Sequence, residues 1–193
     1  MDSIESSQNL DNRIPLKIMK ILKKLSLTSV LLISNTFNLS LHAETIEVAG
    51  YTFSSPAHWE SSTPTSKMRK AQFTVTGEDG KDAEVAFFYF GSGGAGGVKA
   101  NVDRWMTQFK EAKGRTIKNT TIGDTPVTYA QAHGTFLSGR AFGPKTPKVN
   151  YALLAAIIEG ENGSIFIKMT GPKETVESQI SIMKKMVLDC LDK

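Results

Sequence analysis

From Tyr151 to Ile158 the chain is almost wholly apolar, and after the turn Glu159-Gly160-Glu161-Asn162-Gly163 it becomes apolar again from Ser164 to Thr170. Runs this short, bounded by glycine and polar residues, read as strands rather than helices. A five-residue turn cannot support parallel pairing, which needs a crossover of about a dozen residues or more. The two strands are therefore antiparallel neighbours. The first is apolar on both faces, which places it centrally in a sheet covered on both sides.

The rest of the chain repeats this pattern. Glu47 to Phe53 reads as one strand, with Ile46, Val48, Tyr51 and Phe53 as its apolar members, and Ser54 to Trp59 leaves it in a turn. Ser61 to Ser66 is polar and loop-like. Lys70 to Val75 alternates, setting Ala71, Phe73 and Val75 on one face, and the turn Gly77 to Asp82 returns it as Ala83 to Phe90. After the glycine run Gly91 to Gly97, the residues Val98, Val102, Trp105, Phe109 and Ala112 recur at helical spacing. Thr116 to Ile122 and Thr125 to Thr135 read as strands joined at Gly123-Asp124, a hairpin signal. Phe136 to Asn150, with Gly139, Gly143, Pro144 and Pro147, reads as an irregular loop that carries Arg140, Lys145, Lys148 and Phe142. Gly171-Pro172-Lys173-Glu174 opens a last helix, with proline at its first position and a stripe of Val176, Ile180, Met183, Val187 and Leu191. Strands joined by tight turns, with two helices among them, predict an α+β fold: a mostly antiparallel sheet flanked by helices.

The first 43 residues are of another kind. Met19 to Lys24 is basic, Leu25 to Ile33 is apolar, and Leu41-His42-Ala43 precedes Glu44, as expected of a signal peptide cleaved after Ala43. The apolar stretch is shorter than the roughly 20 residues of a spanning helix, so no stable membrane span is expected after cleavage. Asp2, Glu5 and Asp11 place acid ahead of a region that should be basic, which points to a translation start at Met19. Residues 44–193 then form a single domain that is periplasmic or secreted.

Charge and composition narrow the function. The net charge of +4 falls to +2 once residues 1–43 are removed, leaving 18 basic and 16 acidic residues, which argues against nucleic acid as a partner. One cysteine excludes an internal disulfide framework, and with three histidines the chain offers little to a metal ion. No cofactor, metal site or catalytic residue is expected.

The glycine run is the main motif. Gly91, Gly93 and Gly96 satisfy G-x-G-x-x-G between a strand and a helix, where backbone N–H groups can cradle an anion. A dinucleotide fingerprint also needs a buried parallel strand ending in an acid, and Thr116 to Ile122 is too polar for that. The candidate binding site is therefore Gly93, Gly94, Gly96 and Gly97, with Lys99 and Arg104 as nearby cations and Met68, Arg69 and Gln72 on a neighbouring surface. A hydrolase would have to use His58 or His133, since no G-x-S-x-G is present and Cys190 lies on a helix. Glu78, Asp79 and Asp82 crowd one turn without the spacing of a calcium loop. The leading expectation is a secreted, non-enzymatic binding or accessory module of the cell envelope, with an envelope protein or a small ligand as its partner. The alternatives are an anion or small-molecule binder at the glycine loop, and a hydrolase.

Tyr51-Thr52-Phe53 with Pro56 and Trp59 resembles the Phe…Pro…Trp opening of PsbP-like domains. Met68 to Phe73, Phe88 to Gly91, Asn101 to Trp105 with Gln108-Phe109, and Lys168 to Pro172 with Thr175-Val176 resemble a family of uncharacterised exported bacterial proteins with that fold. The resemblance covers nearly all of residues 44–193. It implies an antiparallel sheet flanked by helices and transfers no activity and no catalytic residue.

Overall fold

The computed structural model describes residues 42–139 and 142–192. Residues 19–41 of the leader expected to end at Ala43, and Arg140, lie outside them. The described residues form β1 (Thr45–Val48), β2 (Tyr51–Ser54), β3 (Trp59–Ser61), β4 (Arg69–Val75), β5 (Ala83–Tyr89), α1 (Val98–Met106), β6 (Phe109–Ile122), β7 (Thr125–Ser138), β8 (Thr146–Gly160), β9 (Gly163–Pro172), α2 (Lys173–Ser178) and α3 (Ile180–Leu191).

β1 and β2 are a separate hairpin, while the other seven strands make one sheet in the order β3-β4-β5-β9-β8-β7-β6. Every neighbouring pair is antiparallel. The two apolar runs pair as expected and lie at the centre, where Ile157, Ile158, Ile165 and Ile167 have no exposed surface.

Alternation along each strand divides the core between the two faces. On one face Phe53, Phe73, Phe87, Ile165, Ile167 and Met169 pack with Met183, Val187 and Cys190 of α3. On the other, Leu153, Ile157 and Phe166 pack under Val102, Trp105 and Met106 of α1. The sheet is thus braced on both sides, but α1 has only nine residues. It leaves part of its face open, and the candidate site lies there.

Five sequence expectations change. The turn expected to end at Trp59 leads into strand β3, which pairs with β4 through Ser61. Glu47 to Phe53 is two strands, because Ala49 and Gly50 both take positive φ (53° and 87°) and close a two-residue turn. Such a turn favours Asn-Gly or Gly-Gly, so alanine in its first position gives no signal. α1 stops at Met106, while Phe109 and Ala112 belong to β6. Phe109 is buried there against the Phe136 ring at 5.2 Å, a cross-strand contact that happens to fall at helical spacing.

Most of the expected loop Phe136 to Asn150 is strand, since β7 runs to Ser138 and β8 starts at Thr146, with Phe136 paired to Lys148. Glycine and proline lowered the strand signal where the hairpin only needed to turn. The last helix is broken at Gln179 (φ −92°, ψ −1°), and Pro172 ends β9 rather than beginning the helix.

Candidate functional site

The glycine run links β5 to α1 and is held from the helix side. Asn101 is buried, and its amide nitrogen donates to the carbonyls of Ala95 (2.9 Å) and Gly97 (3.1 Å). Its amide oxygen accepts from the Arg104 guanidinium. The Gly94 N–H donates to the Gly91 carbonyl at 3.3 Å. Lys99 pairs with Asp103 at 2.5 Å one turn along. Both cations expected beside the loop therefore have partners on α1 itself.

Replacing Asn101 with alanine leaves two loop carbonyls without their buried donor, at an expected cost of about 1–3 kcal/mol. Hydrogen exchange should show faster exchange at the Gly94 and Asn101 amides and unchanged rates in β8 and β9. Unchanged loop amides would show that Asn101 does not hold the loop.

Arg69 and Gln72 are brought together, while Met68 is exposed just before β4. The Arg69 guanidinium donates to Gln72 Oε1 at 2.6 Å, pairs with Glu84 at 2.9 Å and lies 5.7 Å from the centre of the Phe88 ring. Gln72 Oε1 also accepts the Thr65 N–H at 3.0 Å. Among the described residues no hydrogen bond or ion pair joins this group to the glycine loop.

Arg69 instead faces a cavity of about 440 Å³ on the part of the sheet that α1 leaves open. Its lining includes Glu84, Phe88, Gln108, Phe136, Lys148, Tyr151, Lys168 and Thr170. Lys168 is half-buried among them. It sits on β9 opposite Ala86, on the same face as Phe166. Its ammonium donates to Gln108 Oε1 at 2.6 Å and lies 5.9 Å from the ring centres of both Trp105 and Phe136.

Burial pushes the Lys168 ammonium down from 10.5 to about 8, with the Glu84 carboxylate opposing the shift and the Arg69 and Arg104 charges adding to it. Lys148 lies 5.2 Å over the Tyr151 ring, which stacks on Phe136 at 6.2 Å with 5° between planes. Lys168, Gln108 and Glu84 are not among the site residues expected from the sequence, and Lys148 is expected only as one cation of the loop over Phe136 to Asn150. The available signal was that Phe166 and Lys168 share a face of a strand buried on both sides.

A larger groove of about 660 Å³ lies between α1 and the β6–β7 hairpin, lined by Val98, Lys99, Asp103, Ile117 and Glu159 among others. Its one lysine is already paired with Asp103 in solvent, so the groove offers no unpaired cation to an anionic ligand.

The histidines lie elsewhere. His58 bonds through Nε2 to Gln179 Oε1 at 2.8 Å, and Trp59 Nε1–H donates to the same oxygen at 2.9 Å. An amide oxygen only accepts, so His58 carries its proton on Nε2. The His133 ring lies against Gly114, where a Cβ would come within 2.6 Å of its Cε1. Among the described residues neither ring bonds a carboxylate or a hydroxyl, and no three His, Cys, Asp or Glu side chains gather to hold a metal ion.

No protein-family profile and no curated protein matches the sequence. Solved structures do. The solution structure of cyanobacterial PsbP (CyanoP) from Synechocystis sp. PCC 6803 matches with a TM-score of 0.50 at 13% identity, over 76% of this chain and 90% of that one. The fold is PsbP-like. A protein of unknown function from Pseudomonas aeruginosa, PA94, is also similar, with a TM-score of 0.43 at 12% identity over 76% of this chain and 94% of that one. At such identities the PsbP-like assignment covers the architecture, and any function has to be argued from this chain's own residues.

Proposed function

We propose that this PsbP-like domain is an exported, non-enzymatic binding module of the cell envelope, periplasmic or secreted, and that it takes a small ligand in the cavity around Lys168. The observation that carries the binding reading is the concentration of Arg69, Lys148 and Lys168 with three aromatic rings in one concavity built on sheet strands. Rigid strands fix the position of each polar group, as a selective ligand site requires. Export rests on the leader sequence ending at Ala43. The histidine environments lend the hydrolase reading no support, since a general base needs a partner to orient it and a nucleophile within reach.

The glycine loop with Lys99 and Arg104 is the competing site. Two measurements test the proposal. Protein expressed from the full gene in a bacterial host is expected in the periplasm or medium with Glu44 as its first residue, and cytoplasmic protein with an intact leader would overturn export. Amide NMR during a small-molecule screen is expected to show shifts at Ala86, Tyr151 and Thr170. Shifts confined to residues 93–99, or none with any compound, would overturn the Lys168 site.

A further inference from the structure

The cavity has a definite chemical character. Ala86 and Thr170 flank Lys168 on the same face of the sheet, and the shortness of these side chains leaves the space. Phe88, Phe136 and Tyr151 provide apolar walls. Among the described residues the cavity that holds Arg69, Lys148 and Lys168 is lined by two carboxylates, Asp82 and Glu84. Arg69 and Glu84 neutralise one another at 2.9 Å, and Asp82 accepts the Gly77 N–H at 3.3 Å. Lys148 and Lys168 remain, each set against aromatic rings and, among the described residues, neither in an ion pair.

An ammonium has three donors, and Gln108 takes one from Lys168. A cation with donors to spare, half out of water beside flat apolar surfaces, is matched by an anion with a flat apolar body.

We infer that the cavity binds a small organic acid, its carboxylate received by Lys168 and Lys148 and its apolar body laid against Phe88, Phe136 and Tyr151. The inference rests on the reading of this cavity as the ligand site and adds the class of ligand.

Binding is then coupled to protons. The charges acting on Lys168 come from Glu84 on β5, Arg69 on β4 and Arg104 on α1, with Lys148 on β8 and Asp82 at the cavity rim. In the free protein burial and the two guanidinium groups favour the neutral amine, against the pull of Glu84. A bound carboxylate adds opposite charge and favours the ammonium. The complex therefore takes up a proton once the free amine has begun to deprotonate. Affinity is flat below about pH 8 and weakens above it, by up to roughly tenfold per pH unit for one linked proton.

The test uses sodium benzoate and its neutral isostere benzamide, titrated into the purified protein and followed by amide NMR and calorimetry. Benzoate is expected to shift Ala86, Lys168 and Thr170 and to bind at least tenfold tighter than benzamide at pH 7. Calorimetry in buffers of differing ionisation enthalpy at pH 8.5 should show proton uptake. Lys168→Met is expected to lose at least tenfold in benzoate affinity while benzamide is unaffected. Lys148→Gln, an exposed change that leaves the core alone, should lose several-fold. Equal binding of the two probes within the cavity, or unchanged benzoate affinity in both variants, overturns the organic-acid inference alone. Benzoate shifts confined to another surface overturn the cavity as the ligand site as well.

Discussion

Phe87→Ala is expected to destabilise the domain by about 3–5 kcal/mol. Phe87 has no exposed surface, and its ring meets Phe53 at 5.5 Å and Phe73 at 6.1 Å, edge-on to both. It lies on β5 between Ala71 of β4 and Ile167 of β9, so its backbone is held by ladders on both sides. The strands cannot close over the lost ring without breaking hydrogen bonds, and a cavity remains. Domains of this size have about 5–15 kcal/mol in total, so the change removes a large fraction of the stability. The melting temperature should fall by roughly 6–20 °C. Urea unfolding measures it directly, and a loss below about 1 kcal/mol would contradict this packing.

Lys168→Met is expected to act in the opposite direction at neutral pH. The unfolded chain keeps the Lys168 proton up to about 10.5, the folded chain only up to about 8. Below pH 8 both states hold the proton, and folding bears the full cost of confining the charge, at most about 3 kcal/mol and less where water still reaches the half-buried ammonium. Between about 8 and 10.5 the unfolded state binds more protons, so stability rises with pH and the cost disappears.

Methionine has nearly the same length and no charge. The variant should be about 1–3 kcal/mol more stable than the parent at pH 6.5, the difference shrinking towards pH 10. Paired urea curves at the two pH values isolate this group, because the two proteins differ at residue 168 alone. A variant less stable at pH 6.5, or a difference that ignores pH, would contradict the account. A residue that lowers stability where it stands is understandable if its charge is needed for binding.

How far the sequence foretold these features depends on the range of the interactions involved. β4, β5, β8 and β9 follow from alternation and apolar runs, and the Gly123-Asp124 turn closes the β6–β7 hairpin where its turn signal stands. These are local patterns, set by backbone geometry and by which face is buried. Two of the departures rest on contacts between distant residues. Phe109 is buried through Phe136, and α3 is separated from α2 at Gln179, whose side chain answers Trp59 and His58 about 120 residues away. Neither leaves a periodic trace.

Of the binding residues named from sequence, Arg69 lines the cavity and Gln72 bonds to it. The glycine run is conspicuous in composition, yet Asn101 ties its carbonyls to α1. Lys168 lies between Ile167 and Met169, on a strand face that carries Ser164 and Thr170 as well as apolar Phe166. That its outward side is half-covered follows from where α1 ends, which no local pattern encodes.

Ligand recognition in the cavity turns on the state of one amine, that of Lys168. Titration of the Lys168 side chain, followed by NMR of its ¹³Cε and ¹⁵Nζ in selectively labelled protein, measures that state. The predicted midpoint is about 8 in the free protein, moving upward when benzoate saturates the site. A midpoint at the ordinary lysine value of 10.5, unmoved by benzoate, would contradict the account.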